Sequence, residues 1–309
     1  MSKYVLALDA SQIKTYKDCN LLWAYLYREN LRPAQADTSA MDKGTIIHSL
    51  LEHYYKAKVK SPNDHHIKWV QESINIFDEE IKKYPEKALG FDRDLLNFLK
   101  QRFTQYSFNW AGRDFTPISK NGEAAAELGF SKVLYEDDNI LFLLEGRIDL
   151  MIEYEGDRVC IVDHKTQDRE THLFDYRIQP LTYALAAGVN YTMINYVGLQ
   201  KELTKTSLRR TVTNIPNWMI ERHREWILEN VFTPIYRKDF EDNVSDTSKY
   251  PNEFKFDRDF SNCAGAFDSH SCIFSKLCFV ENQELRENLK RFHYEKVESW
   301  SPWKVKEIL

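Results

Sequence analysis

The stretch LEGRIDLMIEYEGDRVCIVDHKTQ, residues 144–167, predicts a β-hairpin that carries two aspartates and a lysine. A Gly-Asp pair at 156–157 is a turn signal between two runs rich in apolar and β-branched residues. Asp149 lies in the first run, and Asp163 and Lys165 lie in the second. Because side chains alternate between the two faces of a strand, Asp163 and Lys165 are expected on the same face. Two carboxylates and an ammonium would then share one site.

Such a site suits hydrolysis of a phosphodiester. Carboxylate oxygens are preferred ligands of Mg²⁺ and Mn²⁺, and a bound ion lowers the pKa of water and neutralises charge at phosphorus. The ammonium of Lys165 can orient that water or stabilise the developing charge. The same residues also fit an exposed hairpin with a cross-strand Asp–Lys pair, worth under about 1 kcal/mol. The hairpin alone does not decide between the two interpretations.

Composition sets the limits of the interpretation. The chain has 309 residues, of which 14% are aromatic and 29% are charged, which is typical of a folded protein and not of a disordered one. The net charge of −5 argues against a generally basic nucleic-acid coat but is compatible with a local basic groove. With no secretory cleavage pattern and no run of 18 apolar residues, we expect a cytoplasmic protein.

Four of the five cysteines are candidates for a metal-bound cluster. Cys263, Cys272 and Cys278 fall within sixteen residues, whereas Cys19 is far away near the N-terminus. Cys160 sits between Val and Ile in the predicted hairpin, where a buried thiol is the ordinary interpretation. Four thiolates suit either tetrahedral zinc or an iron-sulfur cluster. The spacings lack the close pair usual for zinc, which favours iron-sulfur, and four unrelated buried cysteines remain the alternative.

Two helices are predicted before residue 60. Ser11 can N-cap a helix that runs to about Arg28 and carries Cys19. Asp42 can cap a second helix, which carries His48 beside an apolar stripe. A lone histidine on a helix is more often a surface or satisfied core residue than a ligand, so its context has to decide.

The remaining pattern predicts a sheet with helices around it. Residues 65–110 have helical periodicity and turn signals near Pro85 and Gly90, which indicates a helical insertion. The basic stretch at 201–210 fits phosphate binding or a solvated sheet edge, and the second is favoured. The predicted strands are 123–134, 140–153, 158–166, 191–199 and 208–214, with helices around 179–187, 217–230 and 282–309.

Several motifs, in this order, resemble those of the RecB-like nucleases of the PD-(D/E)xK superfamily. They are His48 in GTIIHSLLEHYY, Glu127, Asp149 in GRID, Asp163 and Lys165 in VDHKT, and Gln179 with Tyr183 in QPLTY. Cys19 with the later triplet is similar to the subgroup that holds a 4Fe-4S cluster, which includes the AddB nuclease domain, CRISPR adaptation nucleases and phage exonucleases. Two departures are an aspartate where the last acidic motif more often has glutamate, and a wide gap between the first two cysteines of the triplet.

The resemblance implies a role for each matching residue. Asp149 and Asp163 would be the metal-binding carboxylates and His48 an additional ligand. Glu127 would be the acidic residue of the preceding strand, for which Glu123 is a competitor. The other implied roles are a catalytic lysine at Lys165, DNA contact or bracing of the centre by Gln179 and Tyr183, and cluster binding by Cys19, Cys263, Cys272 and Cys278.

The resemblance also implies an α/β fold with a restriction-endonuclease-like core and a central mixed sheet. The implied activity is Mg²⁺- or Mn²⁺-dependent DNA cleavage, by an exonuclease acting on single strands or ends in recombination, repair or phage DNA metabolism. The alternative is a DNA-end-binding adaptor with little turnover, and zinc is the alternative to the cluster. A phosphate-binding loop GxxxxGK[ST] is missing from the sequence, so unwinding would need a helicase or recombination partner. The expected regions are N-terminal helices at 1–60, a helical insertion at 61–120, the nuclease core at 121–235, the cysteine-rich segment at 236–280 and a helical tail at 281–309.

Overall fold

The computed structural model describes residues 3–34, 39–83, 93–167, 177–203, 207–244, 256 and 272–298, with the backbone alone at 39–42, 120 and 240–244. Its strands are β1 (Tyr4–Leu8), β2 (Leu31–Pro33), β3 (Thr116–Pro117), β4 (Ser119–Lys120), β5 (Glu123–Ala124), β6 (Ala126–Glu136), β7 (Ile140–Tyr154), β8 (Arg158–Gln167), β9 (Tyr191–Gly198), β10 (Leu208–Asn214) and β11 (Tyr294–Lys296). Its helices are α1 (Ala10–Asp18), α2 (Asn20–Trp23), α3 (Ser39–Lys60), α4 (His66–Lys83), α5 (Arg93–Trp110), α6 (Ile178–Ala187), α7 (Asn217–Ile227), α8 (Thr233–Val244), α9 (Ser275–Cys278) and α10 (Gln283–His293), with π-helical turns at Ala24–Arg28 and Leu228–Phe232.

The predicted mixed sheet is confirmed. Five strands are hydrogen-bonded in the order β1-β7-β8-β9-β10, and β3 and β6 also pair with β7. The β7–β8 and β9–β10 pairs are antiparallel, whereas β1–β7 and β8–β9 are parallel. A parallel pair needs a crossover connection, and α6 lies in the connection between β8 and β9. The architecture is therefore α/β, with helices flanking a central mixed sheet.

The hairpin of residues 144–167 forms as predicted, with Tyr154 opposite Arg158. Glu155 and Gly156 take positive φ angles of 43° and 87°, which accounts for a glycine in the turn. Burial alternates along β7, while five consecutive residues of β8, 160–164, are buried. A strand buried on both faces is a central strand, so the side chains of β8 are enclosed on both sides of the sheet.

The chain divides into two compact units, and each has its own structure. The first comprises Met1–Asp37, Ser131–Gly146 and Glu221–Val305, and it includes β1 paired with the first residues of β7. The second comprises Thr38–Phe130, Arg147–Ile220 and Lys306–Leu309. In the second unit α4 and α5, which occupy the predicted helical insertion, pack on α3. Its core includes Leu50, Leu51, Tyr54, Phe103, Leu150 and Val162.

Three predicted helix boundaries are wrong. Asp9, not Ser11, caps α1, because its carboxylate accepts a hydrogen bond from the Gln12 backbone at 2.8 Å. The helix does not run on to Arg28, because Cys19 is extended (φ −164°, ψ 117°), ends α1 and begins α2 as its N-cap. The next helix begins at Ser39, so Asp42 lies within it and does not cap it.

Among the described helices, none has the length and apolarity that crossing a membrane requires.

Candidate metal centre

Side chains from α3, β6 and β7 meet in the second unit and form a group of ligand-type residues. His48 Nδ1 lies 3.5 Å from Glu127 Oε1 and 3.6 Å from Asp149 Oδ2. One ligand atom from each of these residues lies within 4.8 Å of the other two. Within the part of the chain that the structure describes, this is the one such group of three or more histidine, cysteine or acidic residues. An imidazole nitrogen and two carboxylates form a donor set that fits a divalent cation.

The orientation of the His48 ring follows from its other nitrogen. Nε2 lies 2.9 Å from the backbone oxygen of His164. A carbonyl oxygen only accepts hydrogen bonds, so Nε2 carries a proton and donates it. In the neutral ring Nδ1 then presents its lone pair toward Glu127 and Asp149. Metal-binding histidines are commonly held in this way by a backbone carbonyl at the second ring nitrogen.

Glu127 reaches this group from an unusual backbone conformation. Its φ is 53°, in the left-handed region that non-glycine residues seldom adopt, and it lies near the start of β6 among five consecutive buried residues. Its Oε2 is 2.7 Å from Arg147 Nε, which leaves Oε1 toward His48. Glu123, the competing residue, is exposed on β5. The structure therefore brings Glu127, and not Glu123, to the group.

Asp149 and Asp163 lie on adjacent strands of the hairpin, and both carboxyl groups are buried or nearly so. Asp149 Oδ2 accepts a hydrogen bond from the backbone N–H of His164 at 2.7 Å. Asp163 Oδ1 and Oδ2 lie 2.9 and 2.8 Å from Lys165 Nζ. Asp163 is thus paired with the lysine beside the group of three and is not a member of it.

The remaining predicted residues extend this arrangement into α6. Lys165 Nζ donates to Gln179 Oε1 at 2.8 Å, and Gln179 Nε2 donates to the Tyr183 hydroxyl at 3.0 Å. Gln179 and Tyr183 are four residues apart and therefore share one helix face. Pro180 is tolerated because it lies in the first turn of α6. The lysine is consequently fixed between a carboxylate on its own strand and an amide on the neighbouring helix.

Burial and mutual charge shift the titration of these groups. Burial alone would lower the pKa of His48, but the charges of Asp149, Glu127 and Asp163 outweigh it and raise that pKa to about 9. Burial raises the pKa of Asp163 to about 6, although Lys165 acts in the opposite direction. Burial also raises the pKa of Asp149, against the charge of His48. Burial disfavours the ammonium of Lys165, but Asp163 and Asp149 raise its pKa above the usual value.

Three of the four predicted cluster cysteines lie within described parts of the first unit. Burial raises the pKa of Cys272, and the nearby Cys19 raises it further. The pKa of Tyr294 is raised by burial and then by Cys272 and Cys278. The Tyr294 hydroxyl donates to the backbone oxygen of Ile273, the residue after Cys272, at 2.7 Å. Cys263 lies outside the described residues. Cys160, by contrast, is buried in β8, and burial raises its pKa to about 12. None of these four described cysteines forms a disulfide.

Sequence reasoning missed a buried polar group beside the centre. Arg210 belongs to the basic stretch that was expected to be a solvated sheet edge, and this prediction is wrong for Arg210. Its guanidinium is buried and lies 2.6 Å from Asp114, which is 96 positions away in the chain. Asn195 and His164 belong to the same group. No local signal could have identified it, because its members come from distant segments.

Comparison with known proteins identifies the family. No curated protein matches the chain. Among solved structures, the crystal structure of SSO0001 is 13% identical over 59% of this chain and 74% of that one, and its TM-score of 0.27 is too low to support an argument about the fold. The sequence profile of the PD-(D/E)XK nuclease superfamily matches residues 7–279, which include every residue of the candidate centre. The chain therefore belongs to the PD-(D/E)XK nuclease superfamily.

Proposed function

We propose that this protein is a Mg²⁺- or Mn²⁺-dependent DNA nuclease whose metal ligands are His48, Glu127 and Asp149, with Asp163 as a further ligand. The observation that carries the proposal is the convergence of His48 Nδ1 with the two carboxylates within 4.8 Å. Separate elements supply these atoms, and backbone groups of His164 hold two of the side chains, those of His48 and Asp149. Asp163 is included because it lies on the strand paired with that of Asp149, and because its negative charge acts on His48.

The other side chains fit the cleavage of a phosphodiester. A divalent cation, when bound, lowers the pKa of a coordinated water and neutralises phosphate charge. Lys165 supplies a fixed positive charge beside the site, which can stabilise negative charge that develops on a phosphate oxygen. Gln179 holds the lysine through its amide oxygen, and Tyr183 holds Gln179 through its hydroxyl. The lysine is therefore already oriented before DNA binds.

The finer proposal is an exonuclease that acts on single-stranded DNA or DNA ends, with unwinding left to a helicase or recombination partner. It is supported by the resemblance of the ordered motifs to those of RecB-like nucleases. The test is an EDTA-controlled assay with Mg²⁺ or Mn²⁺ on end-labelled single strands, end-labelled duplexes and closed circular single strands. We expect the linear single strands to be degraded and the circles to survive. Cleavage of the circles at a comparable rate would make the enzyme an endonuclease.

The assay needs a variant that separates this enzyme from a contaminating nuclease or an inactive adaptor. Asp149→Asn keeps the size of the side chain but removes its charge. We expect at least about a thousandfold loss of cleavage, because this change removes several kcal/mol of electrostatic stabilisation. Wild-type protein that binds DNA ends without cleaving them in either metal would favour the adaptor. Full activity in Asp149→Asn would overturn the assignment of the centre.

We also propose that Cys19, Cys272 and Cys278, with Cys263, hold a 4Fe-4S cluster. A common site is supported by the packing of the segment that carries Cys272 and Cys278 on the helical turn that follows Cys19, where the ring of Phe274 lies 5.0 Å from that of Tyr25. Cysteine thiolates are the usual ligands of such clusters. A shared cluster would join segments that are 244 positions apart in the chain (263 − 19), so it would stabilise the fold by closing a long loop.

Iron analysis and visible absorbance of anaerobically purified protein test the cluster. We expect brown protein with iron and sulfide in near-equal amounts. Cys272→Ala should lose the colour and melt at a lower temperature. The matched control is Cys160→Ala, which removes a buried thiol from β8 and should keep the colour. Colourless protein with one stoichiometric zinc, or a Cys19→Ala variant with an unchanged cluster, would refute this set of ligands.

A further inference from the structure

A row of three paired residues crosses β8, β9 and β10 beside the candidate centre. His164 of β8 is paired with Asn195 of β9, and Asn195 is paired with Arg210 of β10. Asn195 is fully buried. Its Nδ2 lies 2.7 Å from His164 Nδ1, and its Oδ1 lies 3.3 Å from Arg210 Nε and 3.1 Å from the hydroxyl of Tyr106. The amide therefore connects the histidine to the arginine through the interior of the sheet.

The direction of every hydrogen bond in this row can be derived. A guanidinium only donates, so the oxygen of Asn195 must face Arg210. The amide nitrogen then faces His164 and donates to Nδ1, which has to be unprotonated. The contacts of Asn195 therefore leave one arrangement at His164 Nδ1, which accepts the hydrogen bond from the amide nitrogen.

Arg210 is itself held firmly. It donates to Asp114 Oδ1 at 2.6 Å and to the hydroxyl of Tyr106 at 2.7 Å. The guanidinium carbon lies 3.5 Å from the ring centre of Phe115 and 3.9 Å from that of Trp110. Charge-assisted bonds and ring contacts of a buried guanidinium are much stronger than those of an exposed one. The far end of the row is thus a rigid support.

The near end of the row reaches two proposed ligands through the backbone of His164. Its carbonyl oxygen accepts from His48 Nε2 at 2.9 Å, and its N–H donates to Asp149 Oδ2 at 2.7 Å. We propose that Asn195 is a positioning residue of the metal centre: by fixing the side chain of His164, it fixes the backbone groups that orient His48 and Asp149. The inference rests on the proposed function, and it assigns a role to Asn195, which the motifs do not contain.

The test is Mn²⁺ binding to protein freed of metal, measured by isothermal titration calorimetry without DNA. Asn195→Leu is similar in volume but cannot hydrogen-bond to His164 or Arg210. Loss of a partner that orients metal ligands commonly costs about 10- to 100-fold in affinity, and we expect a loss of that size. His164→Phe is the second variant: it keeps the backbone contacts and the ring stacked on Tyr55, but it lacks the Nδ1 acceptor. It carries the test if Asn195→Leu does not fold.

The matched control is Met193→Ala, two residues earlier on the same face of β9 and in the same core. We expect it to lower the melting temperature at least as much as Asn195→Leu but to keep Mn²⁺ affinity within about twofold of wild type, since its cross-strand neighbours are Val162 of β8 and Val212 of β10 and not members of the row. Wild-type affinity in both Asn195→Leu and His164→Phe, or an equal loss of affinity in Met193→Ala, would overturn the inference. Wild-type protein that does not bind Mn²⁺ would instead overturn the proposed function, and this inference with it.

Discussion

Metal binding at the candidate centre should be strongly dependent on pH because of His48. Its pKa is raised to about 9 by the neighbouring carboxylates, so at neutral pH a proton occupies the ring nitrogen that would bind the ion. A proton and a metal ion compete for Nδ1. Below pH 9 the Mn²⁺ affinity should therefore rise about tenfold per pH unit, and at pH 7 it should be about 10^(9−7), or about 100-fold, below its plateau.

Calorimetric titration with Mn²⁺ at pH 6.5, 7.25 and 8.0 measures this slope directly. Titrations in buffers of different ionisation enthalpy count the protons released, and we expect about one per ion bound at pH 7.25. His48→Ala should bind more weakly and should lose most of the pH dependence. His53→Ala is the matched control, because His53 lies on the same helix but faces Glu80, 3.4 Å away. A pH-independent affinity, or the same proton release from His48→Ala as from wild type, would refute the reasoning.

Three further predictions concern the charged groups of the centre. Lys165→Met should lower cleavage by about a thousandfold or more while Mn²⁺ binding persists, and a variant that cleaves normally would remove the lysine from the mechanism. In metal-free protein the raised pKa of His48 stabilises the fold fully below pH 6.5, and this contribution is lost as the pH rises to about 9. The melting temperatures of wild type and His48→Gln should therefore converge as the pH rises through this range. A difference that stays constant would contradict the assignment. Arg147→Met removes one of the two cations that face Glu127, the other being protonated His48. Metal-free protein should therefore melt at a lower temperature, and saturating Mn²⁺ should restore much of the loss; equal losses with and without Mn²⁺ would count against Glu127 as a ligand.

The elements that the sequence predicted well are those with local signals. The hairpin at 144–167 combines alternating apolar residues with a Gly-containing turn, and both determine the pairing of adjacent segments. The two helices within residues 65–110 were also recognisable, since α4 and α5 each present an apolar face to α3. By contrast, the end of α1 at Cys19 could not be predicted from a proline or glycine at that position. The side chain of Cys19 faces the Leu22 N–H at 3.5 Å, and an N-cap of this kind is seldom assigned to cysteine.

The geometry of the centre was less predictable than its residue types. Sequence spacing could not decide between Glu123 and Glu127, because the positive φ of Glu127 disrupts the regular alternation that such an argument assumes. Asn195 was not recognised, although it lies within a predicted strand. The sequence around an asparagine does not indicate which residues of the neighbouring strands will lie beside it, here His164 and Arg210. These contacts depend on the order and register of three strands, and the sequence indicated only that the strands exist.

The charges of the centre suggest how it can remain folded both with and without a cation. Three carboxylates, on Glu127, Asp149 and Asp163, face the cations Arg147 and Lys165 and a protonated His48, so the metal-free site is close to neutral. Because a buried charge without a partner is strongly destabilising, this balance has to be maintained. A divalent cation that displaces the proton of His48 adds two charges and removes one. The net charge therefore changes by one unit instead of two, while Arg147 and Lys165 remain paired. The proton on His48 thus occupies the place of the ion, which links the pH dependence of binding to the stability of the metal-free protein.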